Sequence, residues 1–185
     1  MFKINMVEAT VNIPGYRVLE KIYTGIRTLV YRGLRKQDQQ PVVIKLMRNE
    51  YPSFNELVQF RNQYTIAKNL DIPGIVQPLS LETYGNGYAL VMEDFGGISL
   101  QEWIKQNIPS VEEFLDIAIQ ITLILEKLHR DRIIHKDIKP ANILINPTTK
   151  QIKIIDFSIA SLPKTMYRIC SISSTSTSRN IPTLI

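Results

Sequence analysis

The chain has 185 residues, 44% of them apolar, and a formal net charge of +5 at pH 7, which suits one globular domain or two small lobes. Its Lys and Arg are dispersed and form no aromatic-studded basic stretch, which argues against nucleic acid as a partner. A single cysteine, Cys170, excludes an intrachain disulfide and fits a reducing compartment; with no signal-peptide-like start and no run near the roughly 18 apolar residues of a membrane span, a soluble, cytoplasmic chain is expected.

Residues 16–47 read as strands: "YRVLEKIY", "TLVYRGLR" and "PVVIKLM" alternate or bunch β-formers, with Gly25, Gly33 and Asp38 expected to mark turns. In "PSFNELVQFRNQYTIAKNL", Ser53 and Glu56 form a capping box, and Leu57, Phe60, Tyr64, Ala67 and Leu70 recur at helical spacing. "DIPGIVQPLSLETYGNGYALVMEDF" alternates turn and strand, with Gly85-Asn86-Gly87 as a hairpin connection. A Gly96-Gly97 joint precedes a short helix around "SLQEWIKQN".

A second capping box, Ser110 with Glu113, opens "VEEFLDIAIQITLILEKLHR". Phe114, Leu115, Ile117, Ile119, Ile121, Leu123, Ile124, Leu125 and Leu128 leave this helix little polar face, so it is expected to be covered on most sides. "NILIN" and "QIKIID" flank "PTTK" as another hairpin, and "SISSTSTSR" is low-complexity. Four segments result: an extension (1–15), a strand-rich lobe and linker (16–95), a helical part (96–160) and an irregular Ser/Thr-rich tail (161–185).

The chemistry concentrates in "RIIHKDIKPANILIN", where His135, Asp137, Lys139 and Asn142 are fenced by Ile and Leu. Ionisable groups against apolar walls are costly unless they satisfy one another or serve a reaction. Asp and Asn also cap ordinary turns. Here, however, the loop follows an apolar helix and precedes a hairpin that ends in Asp156-Phe157.

At this point the chain resembles the protein kinases, whose catalytic loop H-R-D-x-x-x-x-N is followed by D-F-G; here these read H-K-D-I-K-P-A-N and D-F-S. The resemblance implies an α+β, protein-kinase-like two-lobe fold. It also implies serine/threonine phosphoryl transfer from ATP with Mg2+, to a protein substrate bearing a Ser or Thr acceptor. On it, Asp137 orients or deprotonates the acceptor hydroxyl, Lys139 steadies the transferred phosphate, and Asn142 and Asp156 hold magnesium through hard oxygen ligands. Lys45, ending "PVVIK", corresponds to the strand lysine that grips the α and β phosphates. Met92 is placed at the rear of the adenine pocket, and backbone groups of Glu93 and Phe95 are placed against the base.

The chain departs from the family pattern in several places. The phosphate-covering loop keeps Gly25 but is expected to have Arg27 and Leu29 at the other glycine positions, with Arg27 or Thr28 able to contact phosphate in their stead. The partner of Lys45 is expected to be Gln63 rather than a Glu, with Glu56 as the alternative. Ser158 replaces the last glycine of D-F-G. The resemblance runs from residue 16 to about 160, and no A-P-E segment follows.

"PGYRVLEKIYTGIRTLVYRG", "PVVIKLM" and "ALVMEDFGGISL" are most similar to the N-terminal kinase module of large bacterial multi-sensor signalling proteins, in which sensor and histidine-kinase regions follow. The chain therefore reads as a truncated piece with weak or no activity. Two other readings stay open: a pseudokinase-like module that binds nucleotide or a partner, and a small-molecule phosphotransferase of the aminoglycoside or choline type. Lys139 and the "DIKPAN" wording favour the protein-kinase branch over the latter.

Overall fold

The computed structural model describes residues 11–161; Cys170 and the Ser/Thr-rich tail lie outside the described residues. Three strands open the upper lobe: β1 (Tyr16–Thr24), β2 (Thr28–Arg35) and β3 (Pro41–Met47). Helix α1 (Phe54–Lys68) follows, then β4 (Pro78–Tyr84) and β5 (Gly87–Glu93). They form one antiparallel sheet in the order β1-β2-β3-β5-β4. Alternation along β3 sends Val42, Ile44 and Leu46 into the upper core beside Tyr31, Ala89 and Val91, and Lys45 to the other face. Ile13 is buried in the same core, so the upper lobe takes in the end of the segment read as an extension.

Gly33 is not a turn. It lies inside β2 opposite Val18, and a Cβ there would stand 2.6 Å from the Arg17 carbonyl oxygen. The turns fall at Gly25 and around Asp38, where the Arg35 guanidinium bonds the carboxylate and draws it down to about 2. Both capping boxes form, Ser53 with Glu56 and Ser110 with Glu113. On α1 the buried positions are Phe60, Gln63, Ile66 and Ala67, while Leu57 and Tyr64 are only half-buried.

The lower part comprises β6 (Ile98–Ser99), α2 (Leu100–Gln106), α3 (Val111–Arg130), a 3₁₀ turn (Pro140–Asn142), β7 (Ile143–Ile145) and β8 (Ile152–Ile154). The small sheet runs β6-β7-β8. Its core joins Ile117, Ile124 and Leu128 of α3 to Trp103, Ile145 and Phe157, and also takes in Ile66 and Ala67 of α1. The other side of α3 is open: Phe114, Leu115, Ile119 and Leu123 are all more than half exposed. The lobes also meet through backbone, with Ile154 N donating to Gly74 O at 2.8 Å and Val76 N to Ile154 O at 3.2 Å. No helix among the described residues is long and apolar enough to cross a membrane.

Candidate active site

The catalytic-loop candidates are built on the exit from α3. Ile133 N closes the helix end onto Leu128 O at 2.8 Å, and both residues are buried, which fixes where the next polar residues emerge. His135 is 2% exposed. It receives Asp137 N at Nδ1 (3.3 Å), so its proton sits on Nε2, which donates to Ile155 O at 3.0 Å. Burial pushes the His135 imidazole below its ordinary value, against the opposing effects of the Ile155 carbonyl and of Asp156 and Asp137. Its ring meets Phe157 edge-on at 4.7 Å. A neutral histidine thus ties the loop to the strand end that carries Asp156.

Asp137 collects two donors on one oxygen: Lys139 Nζ and Asn142 Nδ2, each 2.8 Å from Oδ2. Asn142 Nδ2 also donates to the Asp137 carbonyl at 2.9 Å. The Asp137 bond holds the Lys139 ammonium above its ordinary value. Asp137 Oδ2 is thereby held by both a cation and an amide. Lys136, between His135 and Asp137, adopts a left-handed backbone (φ 67°), as does Asp156 (φ 70°). For residues with a Cβ such conformations carry strain that the surroundings must hold in place.

Across the cleft, Lys45 Nζ donates to Gln63 Oε1 at 2.8 Å and to Asp156 Oδ2 at 3.3 Å, with the Phe60 ring 5.9 Å away. Gln63, not Glu56, is therefore the α1 residue at Lys45; the Glu56 carboxylate bonds Ser53 N and Oγ, each at 2.9 Å. Burial pushes the Asp156 carboxyl up, but the Lys45 charge and the bonds from Ser158 and Lys45 outweigh it, and the group sits below its ordinary value. Asp156 is an anion held against the Lys45 ammonium. Ser158 is not among the positive-φ residues described; its N–H donates to Asp156 Oδ1 at 3.3 Å, so this conformation makes no use of the freedom a glycine would bring.

A solvent-open cleft is lined by Lys45, Gln63 and Asp156 together with Arg27 and Thr28. The family loop G-x-G-x-x-G-x-V, counted back from Val30, which pairs with Lys45, puts the glycine positions at Tyr23, Gly25 and Thr28. That corrects the expectation for Arg27 and Leu29. Leu29 is strand, paired to Thr24 and Leu46, and Arg27 lies in the turn that Gly25 N closes onto Thr28 O at 2.8 Å.

Met92 faces a small apolar pocket with Ala67, Val76, Leu90 and Phe157 behind Asp156. In the linker that follows, Phe95 O is bonded by Asn146 Nδ2 at 2.6 Å. Sequence reasoning passed over Lys153, whose Nζ lies 2.5 Å from Glu93 Oε1. A Lys among isoleucines in "QIKIID" is the signal that could have found it, because a buried ammonium requires a partner.

The donor set fits magnesium. Asp156 and Asn142 carry the hard oxygens that this ion prefers. Few protein ligands plus substrate phosphates is the usual magnesium arrangement.

Comparison with known proteins identifies the family. The family model described as "Protein kinase domain" matches residues 16–178, further along the chain than the resemblance read from the motifs. Serine/threonine-protein kinase PrkC of Bacillus subtilis is 36% identical over 79% of this chain, and PknA of Mycobacterium tuberculosis is 34% identical over 78%. The probable serine/threonine-protein kinase PknB of Lactococcus lactis is 28% identical over 78%. The matched stretch spans 23% of the Bacillus protein and 35% of the mycobacterial one. With the family model matched over most of its length, the chain belongs to the protein kinase domain family, and its similarities lie among the serine/threonine kinases.

Proposed function

We propose that the chain binds Mg-ATP between its lobes and transfers the γ-phosphoryl group to a Ser or Thr hydroxyl of a protein. The observation that supports this reading is that Lys45 is bonded to Asp156 while the loop carrying the bonded pair Asp137 and Asn142 is tied through His135 to Ile155, next to Asp156, so that three separate stretches of sequence meet. Phosphoryl transfer is mainly positioning and charge neutralisation, and these residue types supply both. Lys45 holds the α and β phosphates, and the linker at Glu93 and Phe95 meets the base through its backbone, with Met92 behind it. Lys139 faces the phosphoryl group in flight. The acceptor O–H donates its proton to Asp137, a new O–P bond forms, and the bond between the γ-phosphorus and the bridging oxygen breaks, releasing ADP. Asn142 and Asp156 would hold Mg2+, which neutralises phosphate charge.

Mg-ATP should raise the thermal midpoint of the chain, by an amount that corresponds to about 2.7 kcal/mol at a hundredfold excess over Kd. Lys45→Ala and Asp156→Ala should abolish the shift. Transfer of labelled phosphate to a generic Ser/Thr substrate, absent in Asp137→Ala, tests the chemistry. Equal shifts in wild type and both cleft variants would sink the assignment of the site.

A second reading is favoured by Gln63: a nucleotide-binding module with weak or no transfer. A neutral amide bonds Lys45 but cannot form the ion pair that family members place there. Nucleotide-dependent stabilisation without Asp137-dependent transfer would select it.

A further inference from the structure

Glu93, Asp94 and Phe95 are each tied to a different side chain from elsewhere in the fold. Glu93 Oε1 accepts from Lys153 Nζ of β8 at 2.5 Å and from Gln77 N at 2.9 Å. Asp94 Oδ2 accepts from Arg32 Nε of β2 at 3.0 Å, and Arg32 Nη2 also reaches Gly97 O at 3.3 Å. Phe95 O accepts from Asn146 Nδ2 at the end of β7, and the Lys153 ammonium lies 5.1 Å from the centre of the Phe95 ring.

Glu93 is thus held by both Gln77 and the lower lobe's Lys153, Phe95 from the lower lobe and Asp94 from the upper. The Lys153 and Asp94 side chains are 10% and 11% exposed, so both ion pairs are only weakly screened by salt. Gly96, at φ 74°, closes the linker with its N–H on Asp94 Oδ1 at 2.9 Å.

We propose that Lys153, Arg32 and Asn146 are positioning residues for the nucleotide base: together they clamp the linker so that the backbone at Glu93 and Phe95 is preformed for a planar, hydrogen-bonding ring. The inference rests on the nucleotide reading above. A linker free to flex would have to be ordered at the moment of binding, which weakens the complex, whereas a clamped one is ordered beforehand. The clamp acts on the base end of the ligand. The phosphates fall to Lys45 and to the magnesium that Asp156 would hold, and those residues belong to other elements.

Lys153→Met alone leaves the Glu93 carboxylate without its cation, and that variant could fail to fold. The double variant Lys153→Met/Glu93→Gln removes both charges and keeps an acceptor for Gln77 N, and Lys153→Arg serves as the conservative control. In the full 185-residue chain, with magnesium present, affinities for ATP, adenosine and inorganic tripolyphosphate are measured by calorimetry. Amide exchange of residues 93–97 is followed without ligand.

The double variant should lose about tenfold in ATP and adenosine affinity, the equivalent of one backbone hydrogen bond of ordinary net strength. It should bind tripolyphosphate as wild type does, and exchange its linker amides faster. Lys153→Arg should restore most of the loss. Equal losses for adenosine and tripolyphosphate, or none for either, would overturn the clamp. If wild type binds neither ATP nor adenosine, the nucleotide reading fails instead. Linker exchange then decides the clamp: faster in the double variant supports it, and unchanged overturns it.

Discussion

The ammonium of Lys45 lies 2.8 Å from the amide oxygen of Gln63, so the cation of β3 is held on its helix side by a neutral group and on its other side by the Asp156 carboxylate. Gln63 is buried, and its contact couples the position of α1 to that of Lys45. Gln63→Leu keeps the bulk but removes the acceptor, leaving Lys45 with one fewer partner at a largely buried site. The expected cost is about 1–3 kcal/mol, read from urea denaturation, with Gln63→Glu closer to wild type than Gln63→Leu. A Gln63→Leu chain at least as stable as wild type would show that the contact holds nothing in place.

His135 gives the fold a dependence on pH. Its folded value is lowered from 6.5, so below that pH the unfolded chain binds a proton that the folded chain refuses. Where the unfolded state binds more protons, stability rises with pH. Stability should therefore fall as the solution is acidified from 6.5 toward the folded value of His135. His135→Gln, which cannot titrate, should be less stable near neutral pH but show a flatter profile across that window. Parallel profiles for the two proteins would remove His135 as the cause.

Much of this architecture was legible because it rests on local rules. Ser53 with Glu56 and Ser110 with Glu113 announce helix starts through backbone bonds made within a few residues. The spacing of Asp137, Asn142 and Asp156 likewise follows from one loop and one hairpin. What stayed hidden depends on partners far away in sequence. Arg32 to Asp94 is separated by 62 residues and Lys153 to Glu93 by 60, and no periodicity carries that information. Gly33 misled for a related reason: glycine marks a turn or a close backbone approach, and only the register with β1 tells which. Taking Arg27 and Leu29 as glycine positions of the phosphate loop failed because the anchor of that motif is Val30 in β2, whose pairing with Lys45 appears only when the strands meet.

Gly33 and Gly25 should respond differently to the same substitution. At Gly33 an added Cβ would meet the Arg17 backbone oxygen at 2.6 Å, whereas at Gly25 it would meet the Tyr23 ring at 2.7 Å. Backbone inside a paired strand yields only by moving β1, while the Tyr23 ring is 57% exposed and can turn into solvent. Gly33→Ala is therefore expected to destabilise by about 1–3 kcal/mol, the range for overpacking, and Gly25→Ala by clearly less. Denaturation midpoints for the two variants check this ordering, and a reversed order would refute it.

Helix α3 has two apolar sides and only one of them is covered. Ile117, Ile124 and Leu128 are buried in the lower core, while Phe114, Leu115, Ile119 and Leu123 are 60, 52, 56 and 52% exposed. Leu115, Ile119 and Leu123 recur every fourth residue and so form one stripe along the helix, with Phe114 beside it. Fully burying a side chain of this kind is worth about 1.5–3 kcal/mol, so covering the stripe recovers several kcal/mol, comparable with the 5–15 kcal/mol that separates a folded domain from its unfolded chain. The 185-residue chain is expected to cover it by self-association. The same uncovered stripe leaves α3 loosely supported, and the helix delivers the loop that carries Asp137; a displacement of about 1 Å at a reacting group can cost roughly 100-fold in rate. Phosphate transfer by this chain should accordingly be slow. Leu115→Lys/Leu123→Lys places charges where the stripe meets water and should lower light scattering and the sedimentation coefficient with little change in thermal midpoint. A wild-type chain that sediments as a monomer across a wide concentration range, and transfers phosphate rapidly in an Asp137-dependent way, would show that α3 is adequately supported as it stands.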